Sequence, residues 1–165
     1  MKSRTKKHAD KRIVICGSMT FYTQMIAQNR ILAQQGIPSI IPDADVDPNL
    51  VSTVDAAQEA KRRLSMRHIR RIRDTDTYGV LIINCDKHGI PNYIGPNTFA
   101  EVAVAVAHYK QVFLYQGIPD FYRDELTAWQ SVPLYGDMSS LIRQYESDRL
   151  ASTAQMDLFD ELEMS

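Results

Sequence analysis

The side chains best suited to chemistry follow an apolar run, Val80-Leu-Ile-Ile83, which is typical of a buried strand. The segment after it carries side chains that can bind or react with a small molecule: Asn84, Asp86, Tyr93, Asn97 and Glu101. In an open α/β sheet, ligands bind outside the carboxyl ends of the strands. A strand–loop–helix unit that brings these side chains to such an edge therefore predicts a small-molecule site.

Glu101 has two interpretations. Thr98-Phe-Ala-Glu101 matches a capping box, in which a threonine hydroxyl and a glutamate carboxylate satisfy each other's free backbone donors. Alternatively, Glu101 faces the cleft at the mouth of the strand and acts as a nucleophile, or as an acid or base. The first makes Glu101 a structural residue, and the second makes it the centre of the site.

A second candidate loop, Gly17-Ser18, follows the short apolar run Arg12-Ile-Val-Ile-Cys16. Glycine permits close backbone approach, and the N-terminus of the helix predicted next favours an anion such as a phosphate. A simple turn between a strand and a helix accounts for the same two residues. Phosphate binding and turn formation are therefore both open.

His68 lies on a helical stripe with Leu64 and Ile72, within a helix predicted over residues 54–73. The stripe is typical of a partly buried histidine with satisfied hydrogen bonds, and a catalytic role is the alternative. The helix is also strongly basic, which favours a solvated face over a phosphate or nucleic-acid surface. Its basic residues are Lys61, Arg62, Arg63, Arg67, Arg70, Arg71 and Arg73.

Composition indicates one globular domain. The chain has 165 residues, of which 44% are hydrophobic and 24% charged, and its net charge of −1 gives no overall attraction to nucleic acid or membrane. The N-terminus lacks the apolar segment of a leader, and no apolar run approaches the roughly 20 residues of a membrane span. We therefore expect a cytoplasmic protein with no membrane partner, in which Cys16 and Cys85 are reduced.

Several familiar kinds of site are missing from the sequence. No cysteine–histidine cluster has metal-ligand spacing, and the Asp43/Asp45/Asp47 triplet lacks the glycine and terminal glutamate of a calcium loop. Neither a Gly-x-Gly-x-x-Gly nor a Walker-type loop occurs. We expect neither a metal nor a cofactor.

Strand and helix patterns alternate along the chain. Strands are predicted over 12–16, 37–41, 79–84 and 111–115, with a short edge strand over 132–134, and helices over 22–35, 54–73, 98–109, 122–130 and 138–149. Such alternation implies right-handed parallel crossovers and a three-layer sandwich. The periodic domain covers residues 12–149, between a basic, flexible N-terminus (1–11) and a flexible, acidic tail (150–165).

These residues carry a family resemblance. Ile13-Val-Ile-Cys-Gly-Ser18 before a helix, Gly79-Val-Leu-Ile-Ile-Asn84, and Thr98-x-x-Glu101 leading into an alanine-rich helix resemble the nucleoside 2-deoxyribosyltransferase superfamily over about residues 12–137. That superfamily includes the deoxynucleoside 5′-monophosphate N-glycosidases. The resemblance implies a doubly wound, flavodoxin-like α/β fold with a mainly parallel sheet, and cleavage or transfer at an N-glycosidic bond. It also implies a homo-oligomer, because family members share sites between subunits.

The resemblance also assigns roles to residues. A glutamate matching Glu101 attacks the anomeric carbon, and the sugar then passes to water or to a second base. The loop at Gly17, Ser18 and Met19 would line the sugar or phosphate pocket, and Asn84 and Asp86 the base side. The full set of expected substrate-binding residues is Gly17, Ser18, Met19, Asn84, Tyr93, Asn97 and Thr98.

Two positions depart from the family pattern. Arg71 and Gly95 stand where proven enzymes carry aspartates, and an arginine cannot replace an acid because it stays protonated. Either His68 or Asp86 takes that role beside Glu101, or the protein is a non-catalytic module that binds a nucleotide. In the second case its C-terminal tail tethers it to a partner.

The tail carries the peptide Gln155-Met-Asp-Leu-Phe159, which resembles the Gln-x-x-Leu-Phe segment through which bacterial proteins dock on the replication sliding clamp. Leu158 and Phe159 would supply apolar anchors, and Gln155 would supply hydrogen bonds to backbone. The alternative is an amphipathic turn that packs on the domain itself or on a partner subunit.

Overall fold

The computed structural model describes residues 11–43 and 53–163, with side chains as far as Gln155. The strands are β1 (Arg12–Gly17), β2 (Ser39–Ile40), β3 (Thr77–Ile83), β4 (Gln111–Leu114) and β5 (Val132–Pro133). The helices are α1 (Tyr22–Gln34), α2 (Val54–Arg73), α3 (Pro96–Ala107), α4 (Arg123–Ala128) and α5 (Ser139–Glu163). Strands and helices alternate along the chain, as the sequence predicts.

The sheet has the strand order β2-β1-β3-β4-β5, and every pair is parallel. Because β2 and β3 lie on opposite sides of β1, the connections after β1 and β3 cross opposite faces of the sheet. Such a reversal opens a crevice outside the carboxyl ends of the two strands. The predicted doubly wound, flavodoxin-like three-layer fold is confirmed.

Two apolar clusters fill the two faces of the sheet. Helices α1 and α5 cover one face, where Met25 and Leu32 of α1 and Leu141 and Tyr145 of α5 pack on the sheet beside Ile13, Ile15, Tyr78, Leu81 and Ile83. Helices α2, α3 and α4 cover the other face, to which β1 and β3 contribute Val14, Cys16, Val80 and Ile82. Cys16 belongs to the second face, which places its thiol under α2 and α3.

The stripe of Leu64, His68 and Ile72 predicted for α2 lies in the C-terminal half of the helix, where Leu64 is half-buried. His68 and Ile72 are buried there, whereas Val54 at the helix start is 74% exposed. The edge strand predicted over 132–134 is present as β5, paired in parallel with β4. Of the basic N-terminal segment, only Lys11 is among the described residues, and its carbonyl accepts a hydrogen bond from Tyr145.

Close packing at the end of β1 requires a glycine. A Cβ atom on Gly17 would lie 2.8 Å from the carbonyl oxygen of Ile83, the residue paired with it on β3. A real Cβ cannot approach a backbone oxygen that closely, so any side chain here would push the two strand ends apart. Glycine is therefore needed at position 17 for close strand packing as well as for the turn that Gly17-Ser18 could form.

The predicted end of the last helix is wrong. We expected the helix to stop near Arg149, but the backbone of α5 continues to Glu163 and includes the Gln155–Phe159 peptide. Good helix formers follow Arg149, and the Thr153 hydroxyl donates to the Arg149 carbonyl within the helix. The side chains of Leu158 and Phe159 lie outside those described, so clamp docking stays a prediction. No described helix is both long and apolar enough to span a bilayer.

Asn84 joins the ends of β3 and β4. Its side-chain amide donates to the Gly117 carbonyl at 2.8 Å, and its side-chain oxygen accepts from the Gln116 N–H at 2.8 Å. The side chain is fully buried. Asn84 therefore holds the loop after β4 in place.

We predict that Asn84→Ala lowers the free energy of unfolding by about 3 kcal/mol, because it leaves a buried backbone N–H and carbonyl without partners. Urea denaturation measures the change. Asn97→Ala, at an exposed position, serves as the control and should change stability by no more than about 0.5 kcal/mol. Equal stability of Asn84→Ala and wild type would contradict this structural role.

Candidate active site

A cavity of about 340 Å³ opens at the carboxyl ends of β1 and β3. Its walls come from the loop after β1, the start of the segment after β2, the middle of α2, the loop after β3 and the first turns of α3. Most of the residues predicted from sequence line it together: Gly17, Ser18, Met19, His68, Tyr93, Asn97, Thr98 and Glu101. Because the connections after β1 and β3 cross opposite faces of the sheet, these residues share one crevice.

Two predicted site residues lie elsewhere. Asn84 is buried beneath the loop after β4 and does not line the cavity, so its side chain has no exposed surface there. Asp86 is exposed, and its carboxylate accepts from the Asn92 N–H at 3.0 Å, which closes the loop after β3. Both are hydrogen-bonding residues of strand-end loops, and sequence alone does not separate that use from ligand binding.

The capping box predicted for Thr98 and Glu101 is not formed. Helix α3 begins at Pro96 with Gly95 as its N-cap, so Thr98 already lies inside the first turn. Proline suits the first helical position because its missing N–H would have no helical partner there. Because α3 begins two residues earlier than the sequence predicts, Glu101 faces the cavity and not the free N–H groups at the start of the helix.

Glu101 meets Cys16 and His68 at the back of the cavity. The Cys16 sulfur lies 3.4 Å from Nε2 of His68, and ligand atoms of all three side chains lie within 4.8 Å of one another. Three separate elements, β1, α2 and α3, supply them. Sequence analysis missed Cys16 as a site residue because it lies 52 residues from His68. Its place beside Gly17 at a strand end was the available signal.

Burial sets the protonation of this cluster. It raises the pKa of Glu101 to about 7, against a weaker opposing effect from the hydrogen bond with the Cys16 thiol. Burial, with the nearby charge of Arg71, lowers the pKa of His68 to about 4, and burial also raises the pKa of Cys16. Near neutral pH the cluster therefore holds a thiol, a neutral imidazole and a partly ionised carboxyl group.

A second carboxylate reaches the cavity from an unexpected element. Asp43, in the segment after β2, lines the cavity and accepts hydrogen bonds from Arg67 and Arg71, each at 3.3 Å. Arg71 therefore holds a carboxylate that a distant part of the chain provides. No sequence spacing relates Asp43 to Arg71, which is why the pairing was not predicted.

Lys87 brings positive charge to the loop after β1. Its ammonium group donates to the Ser18 hydroxyl at 2.9 Å and lies 5.1 Å from the centre of the Tyr93 ring. The Tyr93 hydroxyl in turn lies 3.1 Å from where a Cβ of Gly95 would stand. The absence of a side chain at Gly95 therefore leaves room for Tyr93 beside the start of α3.

We predict that Glu101 makes stability depend on pH. Because its pKa rises from 4.5 in the unfolded chain to about 7 in the folded one, its stabilising effect is complete below about pH 4.5 and is lost as the pH rises through about 7. Wild type should lose about 3 kcal/mol relative to Glu101→Gln between about pH 4 and pH 8, as measured by urea denaturation. Glu125→Gln, at an exposed position, is the control. An unchanged difference across this range would refute the assigned environment of Glu101.

The arrangement combines a carboxyl group of raised pKa, a neutral imidazole and a nearby cation around a cavity of the size that small ligands fill. These groups suit three kinds of chemistry: nucleophilic attack by a carboxylate, proton transfer near neutral pH, or the binding of an anion. The chain matches no protein-family model, no curated protein and no solved structure.

Proposed function

We propose that this protein cleaves or transfers the N-glycosidic bond of a deoxynucleoside or deoxynucleotide, with Glu101 as the nucleophile. The observation that carries the proposal is that Glu101 does not cap α3 and instead lines the cavity at the carboxyl ends of β1 and β3. At about 340 Å³, the cavity falls within the range of small-molecule sites. The sequence motifs around β1, β3 and α3 support the same chemistry.

In this reaction a carboxylate oxygen of Glu101 bonds to the anomeric carbon while the bond from that carbon to the base nitrogen breaks. The electron pair of the broken bond leaves with the base, which then takes up a proton. Water, or an N–H nitrogen of a second base, attacks the same carbon, loses its proton to solvent and releases the carboxylate, so that the proton lost here balances the one the departing base takes up. Attack needs ionised Glu101, so its raised pKa ties activity to neutral or higher pH.

The proton for the departing base needs a source close to the cavity. Asp86 lies outside the cavity, which argues against it. His68 lines the cavity, but its lowered pKa keeps the ring neutral, so it acts as a hydrogen-bonding group rather than as an imidazolium acid. Asp43 is the remaining carboxyl group on the cavity wall.

A second candidate function is nucleotide binding without cleavage. The observation that favours it is the pairing of Asp43 with both Arg67 and Arg71, which engages that carboxylate in two ion pairs. A pocket of this kind would hold a nucleotide by its phosphate and base while leaving the glycosidic bond intact. Thermal stabilisation by a nucleotide without base release would support this function.

We predict that Glu101→Gln reduces the release of free base by several orders of magnitude, because an amide cannot act as the nucleophile. Chromatography of reactions with a panel of deoxynucleosides and their 5′-monophosphates measures the product. In wild type, activity should rise with pH through a midpoint of about 7, since the reactive form is the carboxylate. Glu125→Gln should match wild type. Turnover by Glu101→Gln at the wild-type rate would exclude the nucleophile.

We also predict that a 5′-monophosphate binds more tightly than its nucleoside, because Lys87 provides a cation beside Ser18, at the loop that leads from β1 to the next helix. Lys87→Met should remove on the order of tenfold of that preference and leave nucleoside affinity nearly unchanged. Calorimetric titrations with the two ligands give both affinities. Equal affinities in wild type would shift the proposal from a nucleotide to a nucleoside substrate.

A further inference from the structure

The group formed by Cys16, His68 and Glu101 has a composition that nucleophilic attack by Glu101 does not require. Cys16 and His68 are 0% and 4% exposed, and Glu101 lies beside them on the cavity wall. A thiol, an imidazole and a carboxyl group are all ligands that zinc accepts in proteins. Catalytic zinc sites use three protein ligands and leave the fourth position open to water or substrate.

The spacing of these side chains suits one small ion. Zinc bonds of about 2.3 Å to sulfur and 2.0 Å to nitrogen separate those two ligand atoms by about 3.5 Å in a tetrahedron. The sulfur of Cys16 and Nε2 of His68 are 3.4 Å apart. All three ligand atoms lie within 4.8 Å of one another. A shift of about an ångström in one side chain would therefore bring all three to bonding distance of one zinc ion.

The charges of the group also fit a divalent cation. A thiolate and a carboxylate buried together carry two negative charges, and a divalent ion would neutralise both. Among the described residues no cation forms an ion pair with Glu101, and its carboxyl group makes its hydrogen bond with the Cys16 thiol. Nδ1 of His68 makes no well-formed hydrogen bond among the described residues, although the Ile15 backbone lies near the ring.

We propose that Cys16, His68 and Glu101 bind one thiophilic divalent cation of the zinc type, with its open coordination position facing the cavity. A thiolate ligand favours zinc over magnesium and calcium, which prefer oxygen donors. A bound ion would hold the Glu101 carboxylate. Resting on the proposed function, a further consequence is that zinc inhibits base release.

Cobalt(II) tests the site directly, because it takes the place of zinc and gives an absorption band when a thiolate binds it. Protein freed of metal by a chelator should bind one equivalent of cobalt with a thiolate-to-cobalt charge-transfer band, and one equivalent of zinc should abolish the band. An excess of magnesium should leave the band unchanged. A spectrum without the thiolate band would overturn the proposal.

The two free cysteines provide a matched comparison. Cys16→Ser should lose the band and at least tenfold of the zinc affinity, whereas Cys85→Ser, at the other free thiol, should keep both. His68→Gln should weaken zinc binding as strongly, and it serves as the second variant if the buried Cys16→Ser does not fold. Loss of the band in Cys85→Ser, or full affinity in both cavity variants, would assign the metal to another place and refute the site.

The inhibition is measured separately from binding. Base release by wild type should fall as zinc reaches one equivalent and should return when a chelator removes it. If the protein binds zinc but releases no base in either its zinc-bound or its zinc-free form, the proposed function is rejected and the metal site is retained. Base release that zinc does not affect, together with an absent thiolate band, would reject the metal site and leave the proposed function standing.

Discussion

The parallel pairing of β1 with β3 is the interaction on which the rest of the structure depends. These two strands form the centre of the sheet, and their register runs from Arg12 opposite Thr77 to Gly17 opposite Ile83. Because both strands end at the same level, the loops that follow them start side by side. One loop brings Gly17 and Ser18 to the cavity, and the other leads through Tyr93 into the helix that carries Glu101.

The two faces of the central strands serve different purposes. On one face, aromatic and aliphatic side chains of α5 pack against the sheet, and the Tyr78 and Tyr145 rings meet edge to face with their centroids 5.0 Å apart. On the other face, the apolar cluster ends at Cys16, where two polar helix residues replace the next layer of hydrophobic contacts. The cluster of Cys16, His68 and Glu101 is therefore continuous with the core. Its low-dielectric surroundings explain the shifted pKa values of Glu101 and His68.

Periodicity in the sequence was sufficient to predict the fold, because buried strands and amphipathic helices leave regular apolar patterns. It also placed Glu101 and the Gly17-Ser18 loop at one edge of the sheet, since parallel strands end there, whereas His68 was linked to the site only by the family resemblance. It could not predict the Cys16–His68 contact or the Asp43–Arg71 ion pair, which depend on how helices pack across the sheet. For Asn84 and Asp86 the sequence did not separate ligand contact from loop closure, because an amide or carboxylate that closes a loop has the same sequence pattern.

The tight contact at Gly17 has a genetic consequence. Every amino acid reached from a glycine codon by a single nucleotide change carries a Cβ atom, and that atom would meet the Ile83 carbonyl at 2.8 Å. No missense mutation at this codon therefore has a mild outcome, because each one pushes a side chain against the backbone of the neighbouring strand. Variation in this protein should enter through the helices and loops around the crevice, while the residue at the end of β1 stays glycine.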